Sequence, residues 1–360
     1  MADARIEAYA DLLVGRCIDV QPGWQVIVRS TPLARPLLEE LTRRIARRGA
    51  YPLLRLNFSP SQLTTDPIWL KEAPEEAVRE LAPLERYEVE HADAVIVVLA
   101  PENTREGSDI DPHRLTLYAQ AREPVLQRVA NDEIRWVGCY YPTPAAAQEA
   151  GMTLEQFADL IYGASLIDWD AEHARMERIR ERLDRTEEVR IVAEGTDLRL
   201  SLAGRTGDID AGKSNMPGGE VFYAPVEDSA EGEIWFEYPA TRGGFVVENI
   251  RLRFESGRVV DASATHDEEF LIATLDTDDG ARRLGEFAIG CNPAITRFIR
   301  NTLFDEKIEG TVHLAIGRSF PKIGGTNQSA VHWDFVKEMR NGGELSCDGE
   351  VVQRSGEWLV

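Results

Sequence analysis

The run Ala94-Val95-Ile96-Val97-Val98-Leu99-Ala100 is the stretch that most narrows what this chain can fold into. It is apolar at every position, so neither the alternation of a half-wetted strand nor the spacing of a surface helix describes it. It is far too short to span a bilayer. A strand buried on both faces satisfies it, and such strands belong to parallel sheets with helices on each side. The flanking chain agrees. Residues 24–28, 51–56 and 134–140 read as further strands, and helical spacing runs through 5–14, 33–48, 75–86 and 115–121. Alternating strands and helices predict an α/β first half with a doubly wound parallel sheet.

Three helical patterns then fill 143–185, and the last, 172–184, is charged enough to read as a bridge between domains. From Glu187 the pattern changes. Residues 189–193 and 198–202 alternate around Glu194-Gly195-Thr196-Asp197, which predicts a hairpin. Alternating runs recur at 233–238, 245–254 and 258–262, and a helical stretch follows His266. The expected division is an α/β domain over 1–186 and a β-rich α+β domain over 187–360. The sequence holds no internal repeat and no low-complexity segment.

With 62 acidic against 40 basic residues, the net charge of -22 disfavours nucleic acid and acidic membrane surfaces as partners. The acidic excess serves solubility first, and it also suits a substrate carrying positive charge. Cys17, Cys139, Cys291 and Cys347 are widely spaced and form no C-x-x-C pair, which points to reduced thiols, not a disulfide framework. The polar, amphipathic start shows no signal-peptide pattern. The expectation is a cytoplasmic protein.

Gly207-Asp208-Ile209-Asp210-Ala211-Gly212-Lys213-Ser214 fits the letters of a phosphate-binding loop. That loop works only when a helix follows, so that free amides and the helix dipole meet the phosphates. Here Pro217-Gly218-Gly219 follows, and two aspartates inside the loop repel phosphate. The match is accidental.

The same Asn215-Met216-Pro217-Gly218-Gly219 turn leads into Glu220, a single carboxylate at the mouth of an apolar run. Proline fixes φ and the glycines free it, so this carboxylate is held in a set direction. Downstream, Glu286 precedes Phe287-Ala288-Ile289, His313 lies in a glycine-bracketed strand-like segment, and His332-Trp333-Asp334 puts two ligand-type groups on one strand face. Burying several carboxylates together needs a compensating cation. The set Glu220, Glu286, His313, His332 and Asp334 suits Zn, Mn or Co, and two ions sharing a carboxylate use all five groups. Spacing alone is equally compatible with two core histidines and ordinary carboxylates.

Asn215 to Phe222, Leu284-Gly285-Glu286, Asn301-Thr302-Leu303-Phe304-Asp305-Glu306-Lys307, Gly310-Thr311-Val312-His313 and Ser329 to Asp334 occur in that order. This series resembles the thermophilic aminopeptidase family, also called the aminopeptidase T or peptidase M29 family. The motifs span 215–334, and the first half agrees in layout. The resemblance implies a homodimeric aminopeptidase with two divalent metal ions (Zn, Co, Mn or Mg). It makes Glu220, Glu286, His313, His332 and Asp334 the metal ligands, with Glu286 bridging. It also places Glu306 near the metals, so that Glu286 or Glu306 is the catalytic proton carrier and a short peptide is the substrate. The interval from Glu306 to His313 is longer here than in the best-known members.

One position departs. Members similar to aminopeptidase T carry a tyrosine seven residues after the first metal histidine, where this chain has Phe320. Phenylalanine donates no hydrogen bond. The expectation is a slower enzyme, another donor, or different chemistry. The alternative reading follows from His313, His332 and Asp334, a two-histidine, one-carboxylate set that suits mononuclear Fe(II). Dihydroxypyridine ring-opening dioxygenases resemble this family distantly.

Overall fold

The computed structural model describes residues 3–58, 66–130, 133–242 and 245–359. By contacts these form two compact units, residues 1–166 with 212–217, and residues 167–211 with 218–360.

In the first unit the Ala94–Leu99 strand sits at the centre of a sheet, as its apolar run requires. The strands Tyr51–Leu56, Gln25–Ser30, Ala94–Leu99 and Arg135–Tyr140 lie side by side and parallel in that order, with the short Asn215–Met216 strand parallel beyond them. Helices cover this parallel sheet; Arg35–Arg47, for instance, buries Leu37, Leu38, Leu41 and Ile45. The helix expected over 75–86 is instead two short ones, Glu75–Val78 and Pro83–His91. Proline donates no N–H and favours the first turn, so Pro83 starts a helix instead of continuing one.

The second unit is β-rich. An eight-stranded antiparallel sheet includes the expected hairpin, Glu188–Ala193 with Thr196–Ser201, in which Ala193 pairs with Thr196. A five-stranded antiparallel sheet runs His332–Glu338, Thr311–Gly317, Leu284–Gly290, Glu220–Tyr223 and Asp208–Asp210. The core packs one face of this sheet, including Val221, Phe287, Ile289, Leu314 and Phe335, with residues of the larger sheet. The helix Trp169–Leu183 belongs to this unit, not to a bridge, because Met176, Ile179 and Leu183 pack in the same core. The compact units therefore part before that helix, while the proposed division at 186 falls just after it.

After Asp208–Asp210 the chain makes bends and enters the Asn215–Met216 strand, so no helix follows the phosphate-loop look-alike. All four cysteines are buried, and none is in a disulfide. No helix among the described residues is long and apolar enough to cross a membrane.

Candidate metal centre

Strand register decides which side chains meet. Ala288 pairs with His313 and with Phe222, Gly290 pairs with Glu220, and Glu286 pairs with Ala315. Ala315 pairs in turn with Asp334, and Gly317 with His332. Residues paired across strands share a face, and so do i and i+2 along a strand. Glu220, Glu286, His313, His332 and Asp334 therefore lie on one face of the five-stranded sheet, opposite the apolar face that fills the core. The small residues Ala288, Gly290, Ala315 and Gly317 stand between them and leave room.

The turn before Glu220 is built for close approach. Gly219 has φ of +117°, and a Cβ there would lie 2.7 Å from the Asn292 side chain. Asn292 in turn donates to the Gly218 carbonyl at 2.9 Å. Gly219 N–H donates to Asp210 O at 2.7 Å and Cys291 N–H to Gly219 O at 2.8 Å, which fixes the strand that carries Glu220.

Two donor sets form, Glu220 with Glu286 and His313, and Glu286 with His332 and Asp334; within each, the donor atoms lie within 4.8 Å of one another. Glu286 belongs to both. Its Oε1 lies 3.6 Å from His313 Nε2 and its Oε2 lies 3.3 Å from His332 Nε2. His332 Nε2 is also 3.5 Å from Asp334, and His313 Nε2 is 3.5 Å from Glu220. Glu306, His313 and Asp334 make a third such set, which brings Glu306 to the same cluster.

The second nitrogens of the two imidazoles differ. His332 Nδ1 lies 2.8 Å from the Arg318 carbonyl, an arrangement that fixes the Nδ1–H tautomer and leaves Nε2 facing the carboxylates. His313 Nδ1 is buried with no partner among the described residues. The loop before His332 is pinned by Asp278, which accepts from Ala330 N–H at 2.8 Å and Ser329 Oγ at 3.0 Å. Asn327 ties the same loop to the Gly280 and Gly317 carbonyls at 2.9 and 2.6 Å.

Sequence reasoning left three neighbours without a role. Lys307 is completely buried, with its ammonium 3.3 Å from Glu220 and paired with Glu306. Its signal was the charged Asp305-Glu306-Lys307 run between apolar Phe304 and Ile308. Asp210 pairs with Glu220 across the strands and faces the same way. Arg242 donates to the His332 carbonyl at 2.9 Å and feels the charge of Asp334. No spacing rule points to these last two.

Electrostatics reflect the crowding. Burial pushes the Glu220 carboxyl up to about 8 against the pull of Lys307. Burial also raises Glu306, again against Lys307. Burial works against Glu286 as a carboxylate too, but the imidazoles of His313 and His332 hold it down to about 2. Burial opposes charge on the imidazoles as well, yet Glu286 and Glu220 push His313 up to about 9, and Asp334 and Glu286 push His332 up to about 11. The cluster is a set of anions holding every available cation. Its oxygen and imidazole donors, the orientation of His332 and the space between strands all fit divalent ions.

Phe320 sits at the edge of this cluster. Its ring meets His332 edge-on at 5.3 Å between centroids and Phe222 at 5.6 Å. The tyrosine position of the family thus faces the candidate centre here with no hydroxyl.

The chain spans known proteins nearly end to end. It is 28% identical to Aminopeptidase 2 of Geobacillus stearothermophilus, with 99% of this chain and 98% of that one covered. It superposes on wild-type AmpT from Thermus thermophilus with a TM-score of 0.82 at 26% identity, covering 99% of both chains. A 2,5-dihydroxypyridine dioxygenase from Pseudomonas putida shares the fold, with a TM-score of 0.65 at 13% identity over 100% of this chain and 98% of that one. A sequence profile described as thermophilic metalloprotease (M29) matches residues 2–358, and the chain belongs to that family.

Proposed function

We propose that this protein removes the N-terminal residue from short peptides, using two divalent ions held by Glu220, Glu286, His313, His332 and Asp334. Glu286 carries the reading, because its two oxygens face different histidines, as a bridging carboxylate requires. A metalloprotease family and relatives named aminopeptidases make the chain a metallo-aminopeptidase. Zn, Co, Mn or Mg fit the donors.

Ions bound there would polarise the scissile carbonyl and lower the pKa of an attacking water. The chain's own groups do the remainder. Asp334 offers negative charge to the substrate's α-ammonium end. Glu306, its carboxyl raised by burial, carries a proton to the leaving amine, or Glu286 does so. Lys307 keeps Glu220 and Glu306 in place.

The assembly we propose is a cytoplasmic homodimer. Its support is the edge strand Tyr51–Leu56, which leaves Tyr51, Leu53, Leu54 and Leu56 exposed, more apolar surface than a lone edge strand usually shows.

Metal-loaded protein incubated with aminoacyl anilides and short peptides tests the reading. Cleavage that a chelator abolishes and added metal restores is the expected result, with about two zinc-like ions per chain by elemental analysis. One iron per chain and no peptide cleavage would overturn it in favour of Fe(II) oxygen chemistry.

A further inference from the structure

Arg242 ends the strand Ala240–Arg242, which pairs with Phe245–Val247 in a two-stranded ribbon. The cross-strand partners Ala240 and Val247 are both buried in the core. The Phe245 ring stacks on Phe270 with centroids 4.1 Å apart, and Phe270 meets Trp333 edge-on at 5.9 Å. Trp333 stands between His332 and Asp334 in the chain and so turns to the opposite face of their strand. The ribbon is thereby fixed to the strand that carries both groups.

Arg242 makes a second connection to that strand. Its Nη1 donates to the His332 carbonyl at 2.9 Å. Pro239, Ala240 and Thr241, the residues just before it, line a small space that Asp334 also lines. The half-buried guanidinium therefore lies beside the donor set of Glu286, His332 and Asp334. Burial works against its charge, and the Asp334 carboxylate favours it. Among the described residues Arg242 forms no ion pair, and the His332 carbonyl is its one hydrogen-bond acceptor.

A single main-chain acceptor does not call for five N–H donors and a permanent charge. Holding a guanidinium half out of water costs free energy that an arriving acceptor recovers. Peptide hydrolysis generates such an acceptor. When water adds to the scissile carbonyl, the C–O bond forms and the π pair moves to the carbonyl oxygen, which becomes an anion. Phe320, whose ring lies against His332, has no hydroxyl to meet it.

We propose that Arg242 is a catalytic residue whose remaining N–H groups donate to that oxygen as its charge develops. This rests on the aminopeptidase reading. Arg242 keeps its own proton throughout. As the C–N bond breaks, the electron pair returns to the carbonyl, and the leaving amine takes its proton from Glu306 or Glu286. Donors fixed in this way act on the transition state more than on bound substrate, whose carbonyl oxygen carries less charge.

The test uses the full, metal-loaded protein and a leucyl anilide. In R242M kcat is expected to fall about ten- to hundredfold with KM little changed. R242K keeps a charge and loses the planar fork, so it should fall between R242M and wild type. It also carries the test if R242M does not fold. The phosphonic acid analogue of leucine, with a tetrahedral anionic head, should lose affinity for the variant by the same factor as kcat/KM. Leucine itself should bind as it does to wild type, and metal content should match wild type. An unchanged kcat, an unchanged affinity for the analogue, or the loss of a metal equivalent overturns this inference alone. The first two remove Arg242 from the transition state, and the third makes it a brace for His332. No cleavage of any peptide or anilide by wild type overturns the aminopeptidase reading and this inference with it.

Discussion

Lys307 holds its ammonium 3.3 Å from Glu220 Oε1 with none of its side chain exposed to solvent. A lone buried ammonium is costly, and here two carboxylates compensate it and raise its pKa well above the ordinary lysine range in spite of burial. It supplies a full positive charge to the floor of this cluster.

Lys307→Met removes that cation and leaves Glu220 and Glu306 buried without it. A loss of about 3–5 kcal/mol in unfolding free energy is expected from urea titration of the metal-free protein. Zinc added before unfolding should recover part of the loss, since a metal ion meets the same carboxylates. Equal losses with and without zinc would show that Glu220 is not near a metal.

Replacing the proposed bridge should behave differently from replacing an end ligand. Glu286→Ala is expected to abolish both equivalents of bound metal, and His332→Ala to remove one, as read by elemental analysis after dialysis. Identical stoichiometry in the two variants contradicts a shared Glu286.

Metal uptake should also release protons. In the metal-free cluster the charges of Glu286 and its neighbours outweigh burial, so His313 titrates at about 9 and His332 at about 11. Both are protonated at pH 7, and both must lose that proton to act as ligands. Calorimetry in buffers of different ionisation enthalpy should report about three protons released per chain at pH 7, two from the imidazoles and most of one from Glu220, whose carboxyl is raised to about 8, with affinity falling as pH falls. The metal-free fold has the opposite trend. These raised values stabilise it fully below pH of about 6.5, and that stability is lost as pH rises through about 9 for His313 and about 11 for His332. Proton-free uptake would remove the imidazoles from the ligand set.

Asp278 acts on His332 through the loop it pins. Burial works against its charge, but hydrogen bonds from Ala330, Ser329, Ala281 and Gly280 hold its carboxyl below the usual range. Asp278→Ala strands those donors and should lower stability by about 1–2 kcal/mol, the site being partly exposed. The contribution of a depressed carboxyl is present above its unfolded value and vanishes as pH falls through its folded one. The variant should therefore approach wild-type stability in acid. Weaker metal binding in the variant, measured by competition with a chromogenic chelator, separates loop positioning from stability alone.

Phe320→Tyr puts a hydroxyl on a ring that already lies against His332. If the missing donor limits the rate, kcat for an aminoacyl anilide should rise on the order of tenfold or more. An unchanged kcat at equal metal content would mean another group fills that role.

Several features were legible before any coordinates. The all-apolar run at 94–100 required a parallel sheet covered by helices, and His332 and Asp334 at i and i+2 required a shared strand face. Periodicity carries that information because burial on two faces, or on one, leaves its mark residue by residue. The Pro-Gly-Gly turn likewise announced a directed carboxylate at Glu220, because proline and glycine restrict and release φ locally.

What only the tertiary structure decided is the company those residues keep. Register brought Gly290 opposite Glu220 and Ala315 beside both Glu286 and Asp334, and a slip of one residue would have turned each to the core. Pairing across strands depends on bulges and turns far apart in sequence, so it leaves no local pattern. Lys307 left only the mark of a charged run between Phe304 and Ile308, and packing alone buried it between two glutamates. Chemistry-bearing residue types were written in the chain, and long-range packing set their distances.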